Sequence, residues 1–435
     1  MSYRLLAAVA ALTAGIAIAV PPDANPKAAP KTDAEKAAAA VAVEKGLKVD
    51  LWAAEPLFAN PVAFAFDEKG RCFVAETTRF GNGVPDTRGH MYWLDDDLAC
   101  RTVADRVAMY KKEYPGKKPY LGYEKFDDQV RMIWDAKGDG KATDSSVFAK
   151  GFNRPEDGLA AGILARKGSV YLTNIPDLWL LKDTKGTNTA DVRQSLSTGY
   201  GIHVQFLGHD SHGLRIGPDG KLYFSIGDRG FNVVSKEGKK LFNPDSGAVL
   251  RCDLNGANLE VVHVGLRNPQ ELAFDDYGNL FTYDNNSDSG DQARWVYIVE
   301  GGDSGWRCGF QYETLYHPPT VKQGNRGSWN AELIWQAGNP DVPAYVVPAL
   351  ANFGSGPSGL THYPGVGLSD RYKGHFFACD FTSNAGSSKV WSLAVKPKGA
   401  AFEVVDRHEF VRQVVPTDCD FGPDSALYVS DWVGG

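Results

Sequence analysis

The chain has no C-x-x-C pair, no surplus of positive charge and, after its N-terminal run, no apolar stretch long enough to span a bilayer. Its six cysteines match no zinc or haem-attachment spacing, C-x-x-C-H included. Their even number is compatible with an oxidising compartment. Cys72 and Cys419 could pair if the chain ends meet, and isolated buried thiols are the plainer reading. Lys and Arg number 46 against 53 Asp and Glu, a net charge of −7. That balance argues against nucleic acid or an anionic membrane surface as the main partner. The one apolar run, Leu5 to Ile16, follows Arg4 and precedes Ala17-Ile18-Ala19 and Pro21-Pro22. This is the order of an export signal, too short for an anchor, so residues 1–19 read as a signal peptide and the protein as secreted or periplasmic. Residues 20–44, rich in Ala, Pro and Lys, read as a disordered tether, and 45–435 as one all-β domain.

What is present recurs. Six times an apolar strand, a tight turn and a second apolar strand lead to a polar residue, with turns at Gly70, Gly168, Gly220, Gly278, Gly374 and Ser425. Six residues past each turn stand Glu76, Asn174, Ile226, Asp284, Asp380 and Asp431, and the odd one out carries Asp228 two residues later. A period near fifty of short strands predicts a six-bladed β-propeller of four-stranded antiparallel blades. The recurring carboxylates are then expected at one mouth of the channel, where cations and polar substrates bind.

Inner strand pairs are expected at 61–76, 158–174, 212–228, 269–284, 358–380 and 416–431. Third strands are expected at Val130–Asp135, Leu178–Asp183, Val249–Leu254, Trp295–Val299 and Val390–Val395. Fourth strands are expected at Val49–Ala54, Ser146–Ala149, His203–Leu207, Leu259–His263, Ala344–Val347 and Phe402–Val405. Val49–Ala54 would close the ring by completing the last blade. That leaves this blade's third strand beyond Gly435, and the chain reads as an N-terminal portion of a longer polypeptide. The loops at Asp135 and Asp183 look like worn calcium loops in which Lys137 and Lys185 replace carboxylates, so plain turns are expected. Two stretches exceed the repeat. Residues 77–125, with a helix over Arg101–Lys112 stopped by Pro115-Gly116, should rim the polar mouth. Residues 303–343, with Trp306, Trp329 and Trp335, should start from the opposite face.

Three segments are expected at the mouth. In GHDSHGLRIGPDGKLYFSIGDRG (208–230), His209 and His212 can meet Asp228 across the hairpin, as a general base requires or as a polar corner would also allow. In VGLRNPQELAF (264–274), Arg267 and Asn268 offer donors to a planar anion, or Arg267 staples neighbouring blades. In YDNNSDSGDQARW (283–295), Asp284, Asn285, Asn286, Asp288 and Asp291 crowd oxygen donors suited to Ca²⁺, or form an Asx-rich loop.

HDSHGLRIGPDGKLYFSIGDRG, GLRNPQELAFDDYGNLF and VEGGDSGW resemble the glucose/sorbosone dehydrogenase family, six-bladed quinoproteins that use pyrroloquinoline quinone and Ca²⁺. Within it the chain looks similar to bacterial secreted proteins described as membrane-bound dehydrogenase domain or PVC-type haem-binding proteins. The resemblance implies hydride abstraction from a small sugar-like alcohol onto the quinone, with His209 taking the hydroxyl proton, Asp228 as its partner and His212 beside them. It implies quinone and substrate contacts from Arg267, Asn268 and Gln270, calcium bound after Asp284 by Asn285, Asn286 and Asp288 with Glu76, and a c-type cytochrome as electron acceptor. Pro364 stands where that family's quinone-binding lysine is expected, and FTSNAGSSKVWSL offers only Lys389 where an arginine pair is expected. Two alternatives are a Ca²⁺-dependent lactonase or esterase built on Glu76, Asn174, Asp284 and Asp431, and a non-catalytic carbohydrate-binding propeller.

Overall fold

Each hairpin is set by its turn. Asp67 Oδ1 accepts hydrogen bonds from the Lys69 and Arg71 amides, and Gly70 closes the bend at φ 74°. Glycine adopts this left-handed conformation without steric cost. Ser425 takes the same conformation at φ 67° with no glycine, its turn held by Asp424 Oδ1 on the Ala426 amide. These turns recur through a computed structural model that describes residues 3–9, 32–114, 122–316, 327–336 and 346–432.

Among the described residues the strands form six sheets of four or five strands and one two-stranded ribbon. The first sheet runs Pro61–Phe66, Cys72–Glu76, Asp128–Trp134 and Asp144–Phe152. The second runs Ala160–Arg166, Ser169–Asn174, Asp177–Lys182 and Val192–Thr198. Ser211–Ile216, Leu222–Ile226, Gly247–Cys252 and Glu260–Leu266 make the third. Pro269–Phe274, Leu280–Asp284, Arg294–Ile298 and Ala351–Asn352 make the fourth. The fifth holds Pro357–His362, His375–Asp380, Lys389–Lys398 and Ala401–Arg412, with Ala42–Val43 on its edge. The sixth holds Pro416–Phe421, Leu427–Asp431, Tyr3–Val9 and Leu47–Ala54.

The first strands of the six sheets touch in cyclic order, and the cycle closes where Pro416–Phe421 meets Pro61–Phe66. Hydroxyls stitch neighbours together: Thr173 Oγ1 donates to Ser211 O, Ser225 Oγ to Pro269 O and Thr417 Oγ1 to Pro61 O. The core lies between adjacent sheets. Phe73, Met132 and Phe148 of the first meet Ile163 and Leu172 of the second, and Phe281 and Trp295 of the fourth meet Phe376 and Leu393 of the fifth. Such face-to-face packing of twisted sheets round an axis is the architecture of a β-propeller.

Several expectations are corrected. His203–Leu207 is not a strand; Val192–Thr198 is the fourth strand of its sheet, and the 203–207 segment serves the cavity described below. Residues 344–345 lie outside the described residues, 346–347 form no strand, and Ala351–Asn352 takes that edge. In the last sheet Leu47–Ala54 is present as expected, and Tyr3–Val9, read from the sequence as part of the signal peptide and not of the propeller, occupies the third place, parallel to both neighbours. The tether expected over 20–44 is ordered from Thr32. A capping box of Thr32 and Glu35 starts the helix Asp33–Ala40, and Ala42–Val43 pairs with Val411–Arg412. The expected helix is Val103–Glu113, capped by Thr102; Pro115-Gly116 lie outside the described residues. All six cysteines are free and buried, with Cys72 and Cys419 in different core clusters. The Asp135 and Asp183 loops are turns in which the carboxylate accepts backbone amides, as expected.

Candidate functional site

A cavity of about 530 Å³ opens at one mouth of the ring. Every sheet contributes to it through the start of its first strand, and several through the loop after the second. Its wall includes Asn60, Leu159, Gly208, His209, His212, Asn268, Gln270, Glu271, Ser355–Ser358 and Thr417–Asp418.

The polar residue that ends each second strand behaves differently from expectation. Glu76 accepts the Ala59 amide, Asp284 the Arg267 and Asn268 amides, Asp380 those of Ser355 and Gly356, and Asp431 that of Val415. Asn174 Nδ2 donates to Gly158 O. Each residue buckles the loop entering its own sheet, so these groups are spent on backbone that would otherwise be buried unpaired. Glu76 is further held by Gln129 at 2.6 Å and Arg131 at 2.8 Å, and Asp284 by Arg294 at 2.5 Å. Neither lines the cavity, so two of the expected calcium ligands and the acidic ring of a lactonase are not assembled there.

The third sheet breaks this pattern. Ile226 offers no polar group, and Asp228, two residues on, turns to His209 instead. Its Oδ1 lies 2.7 Å from His209 Nδ1, and its Oδ2 accepts Trp306 Nε1 at 2.9 Å. Burial raises the Asp228 carboxyl, but His209, Arg267 and Trp306 outweigh it and hold the group below its ordinary range. An ionised Asp228 makes Nδ1 the donor and leaves Nε2 as the basic nitrogen of His209.

His212 also lines the cavity, but its Nε2 lies 3.0 Å from Gly208 O, and burial lowers its pKa. The same carbonyl accepts Asn268 Nδ2 at 3.2 Å and Gln270 Nε2 at 3.1 Å. Three side chains thus fix the peptide that carries His209. Gly227 packs against it so closely that a Cβ there would lie 2.7 Å from His209 O.

Arg267 is buried but does not line the cavity. It bonds Gln311 Oε1 and Asp288 Oδ2, both at 2.8 Å, and sits between the Phe206 and Trp306 rings. Asn285, Asn286 and Asp288 do line the cavity. Lys389 lies elsewhere, paired with Glu409 and over Trp391. Pro364 sits in the hairpin at the far end of its strands, away from the mouth.

The stretch 303–343, which holds Trp306, was expected to start from the opposite face. Residues 302–303 do begin there, but Gly302–Asp303 pairs in parallel with His263–Val264 and carries the chain back toward the mouth, where the Trp306 amide bonds Gly265 O. Other lining residues had no signal as a group. Phe206 packs on His209, Arg88 lies over Phe206 while paired with Asp86, and the floor holds Glu271 and Asp418 near Arg215. Burial pushes Glu271 up to about 8 and Asp418 up to about 7 against the pull of Arg215.

Sheets that close on themselves around such a cavity make the molecule a β-propeller. The chain belongs to the family described as Domain of unknown function (DUF7133), whose model matches residues 33–434. It is 34% identical over 124 residues to quinoprotein glucose dehydrogenase B of Acinetobacter calcoaceticus, covering 22% of this chain and 26% of that protein, and so spans about a quarter of that relative's length. Two solved structures share the fold. A putative oxidoreductase (glucose dehydrogenase) of Thermus thermophilus matches with TM-score 0.50 and 16% identity over 86% of this chain and 90% of that one. The soluble aldose sugar dehydrogenase of Escherichia coli in its apo form matches with TM-score 0.50 and 12% identity over 89% and 95%. The resemblance to sugar dehydrogenases read from the motifs is borne out. No helix among the described residues is long and apolar enough to cross a membrane.

Pyrroloquinoline quinone is a tricarboxylate and needs cations around it. Among the described residues that line it, Arg88 is the one Lys or Arg; it is already paired with Asp86, and the Asp288 carboxyl shares the cavity. The lining as it stands does not fit the carboxylate end of that cofactor. Among the described residues no three His, Cys, Asp or Glu are grouped to hold a metal.

Proposed function

We propose that the chain is an exported, six-bladed propeller that oxidises a sugar-like alcohol, with His209 as general base. The likeness to a quinoprotein glucose dehydrogenase and the shared fold support the reaction class. The His209–Asp228 contact of 2.7 Å in the cavity wall is the observation that carries the base. His209 Nε2 accepts the proton of the substrate hydroxyl, and the buried Asp228 carboxylate stabilises the imidazolium that results. Asn268 and Gln270 hold the Gly208 carbonyl and thereby the angle of the ring. Quinone, Ca²⁺ and a c-type cytochrome acceptor follow from the likeness alone; the hydride leaving the alcohol carbon needs a two-electron acceptor of this class, supplied in the assay by added quinone or dye, and the proton step uses this chain's own residues.

The test is dye reduction with a panel of aldoses and polyols, run with and without added quinone and Ca²⁺. His209→Asn should lower kcat/KM by ~10²–10⁴. No reduction with any alcohol under either condition, or full activity in the variant, refutes the proposal.

A further inference from the structure

The cavity has two unlike sides. His209, Arg88, Asn268 and Gln270 stand on the side of the third and fourth sheets. Opposite them, Phe80, Phe381 and Trp432 come from the first, fifth and sixth sheets. Phe381 directly follows Asp380 and Trp432 directly follows Asp431, so the buckling carboxylates also set where these rings stand. Phe381 and Trp432 stack at 5.4 Å and 23°, and Phe80 meets Trp432 edge-on at 5.2 Å. The rings are not core: Phe80 is 41% exposed and Trp432 half-buried. Partly exposed aromatic rings facing a ligand cavity across a polar pair call for an occupant.

The surrounding groups say which. The same lining holds the uncharged Asn60 and Ser383, able to bond hydroxyl groups, while the Thr77, Thr382 and Thr417 hydroxyls are already bonded to Asp128, Ser388 and Pro61. Arg88, the one guanidinium among the described lining residues, is paired with Asp86. The volume of about 530 Å³ is more than one pyranose ring fills. A pyranose carries an apolar face of C–H groups and an equator of hydroxyls, the two chemistries this wall displays side by side. We propose that Phe80, Phe381 and Trp432 form a subsite for a second sugar ring, so that the ligand is an uncharged oligosaccharide with one ring at His209 and the next stacked on Trp432.

This rests on the sugar reading of the cavity, and the test separates the two. Glucose, maltose, maltotriose, cellobiose and cellotriose are titrated into the full chain by calorimetry. The oligosaccharides of one linkage should bind about tenfold or more tighter than glucose. Trp432→Ala should bring that ligand down to the glucose level without changing glucose itself, whereas Trp432→Phe, which keeps an aromatic face, should retain the preference. His209→Asn should abolish turnover and leave the preference intact, so full turnover in that variant with the preference retained sinks only the catalytic reading. Equal affinity for mono- and oligosaccharides, no binding by any of the five, or a Trp432→Ala loss that falls on glucose as heavily overturns the subsite; sugar-dependent dye reduction alongside equal affinities would leave the base standing alone.

Discussion

At the scale of single residues, Asp228 is the carboxylate that the repeat sets free. Its counterparts Glu76, Asp284, Asp380 and Asp431 accept loop amides, and only the shift by two residues lets this one reach an imidazole. Asp228→Asn should therefore cost activity through the tautomer: an amide can turn its NH₂ toward His209, and the ring then presents the wrong nitrogen. A loss of ~10²–10⁴ in kcat with little change in thermal midpoint is expected. Retained turnover would dismiss the pair. Trp306→Phe keeps a ring but removes the Nε1–H bonded to Asp228, and should lower kcat about tenfold with KM unchanged, the value of roughly one hydrogen bond to a charged group. The His209–Asp228 pair was legible because a single hairpin holds both partners. Trp306 was not, because its position depends on parallel pairing between residues 302–303 and 263–264, which no local pattern encodes.

At the scale of elements, the hairpins were legible almost to the residue. Each carries its own turn residue and apolar alternation, signals that need no distant partner. The outer strands were less so. Val204 and Phe206 are buried and mimic a strand, yet they are apolar because Val204 packs on Trp93 and Phe206 forms part of the cavity wall over Leu94 and Tyr312. Ala351–Asn352 has two residues, too few for any periodicity. The loops entering the sheets are tight as well as buckled. A Cβ on Gly356 would lie 1.6 Å from Phe381 O, so Gly356→Ala must push apart segments that share hydrogen bonds. A destabilisation of ~1–3 kcal/mol is expected in urea unfolding, with Phe381 displaced from Trp432. An unchanged midpoint would show that this approach is not as close as described.

At the scale of the molecule, the channel floor links protonation to folding. Glu271 faces Arg215, Asp418 and Asp420, and burial keeps both Glu271 and Asp418 protonated to about 8 and about 7. The unfolded chain releases those protons near ~4. Between these limits the folded state holds more protons than the unfolded, so this contribution to stability is present in acid and is lost as the pH rises toward 8. Glu271→Gln removes one of the two titrations. The thermal midpoint of the variant should fall less than that of the wild type between about pH 5 and about pH 9; parallel curves would place the proton elsewhere. The ring and its repeat were legible in the sequence. The composition of its mouth was not, since Phe80, Phe381, Trp432, Glu271 and Asp418 converge from four sheets.

The closure of that ring has a consequence in time. Phe64 donates its amide to Asp418, Thr417 bonds Pro61, and the Trp52 and Tyr428 rings meet at 5.5 Å. During synthesis the early partners emerge long before the late ones exist, and wait unclasped while some 350 intervening residues follow. Contacts so far apart in sequence are slow to find one another. The mouth that depends on them would be completed last, so the cavity of a nascent chain stays open-walled until Asp418 has left the ribosome.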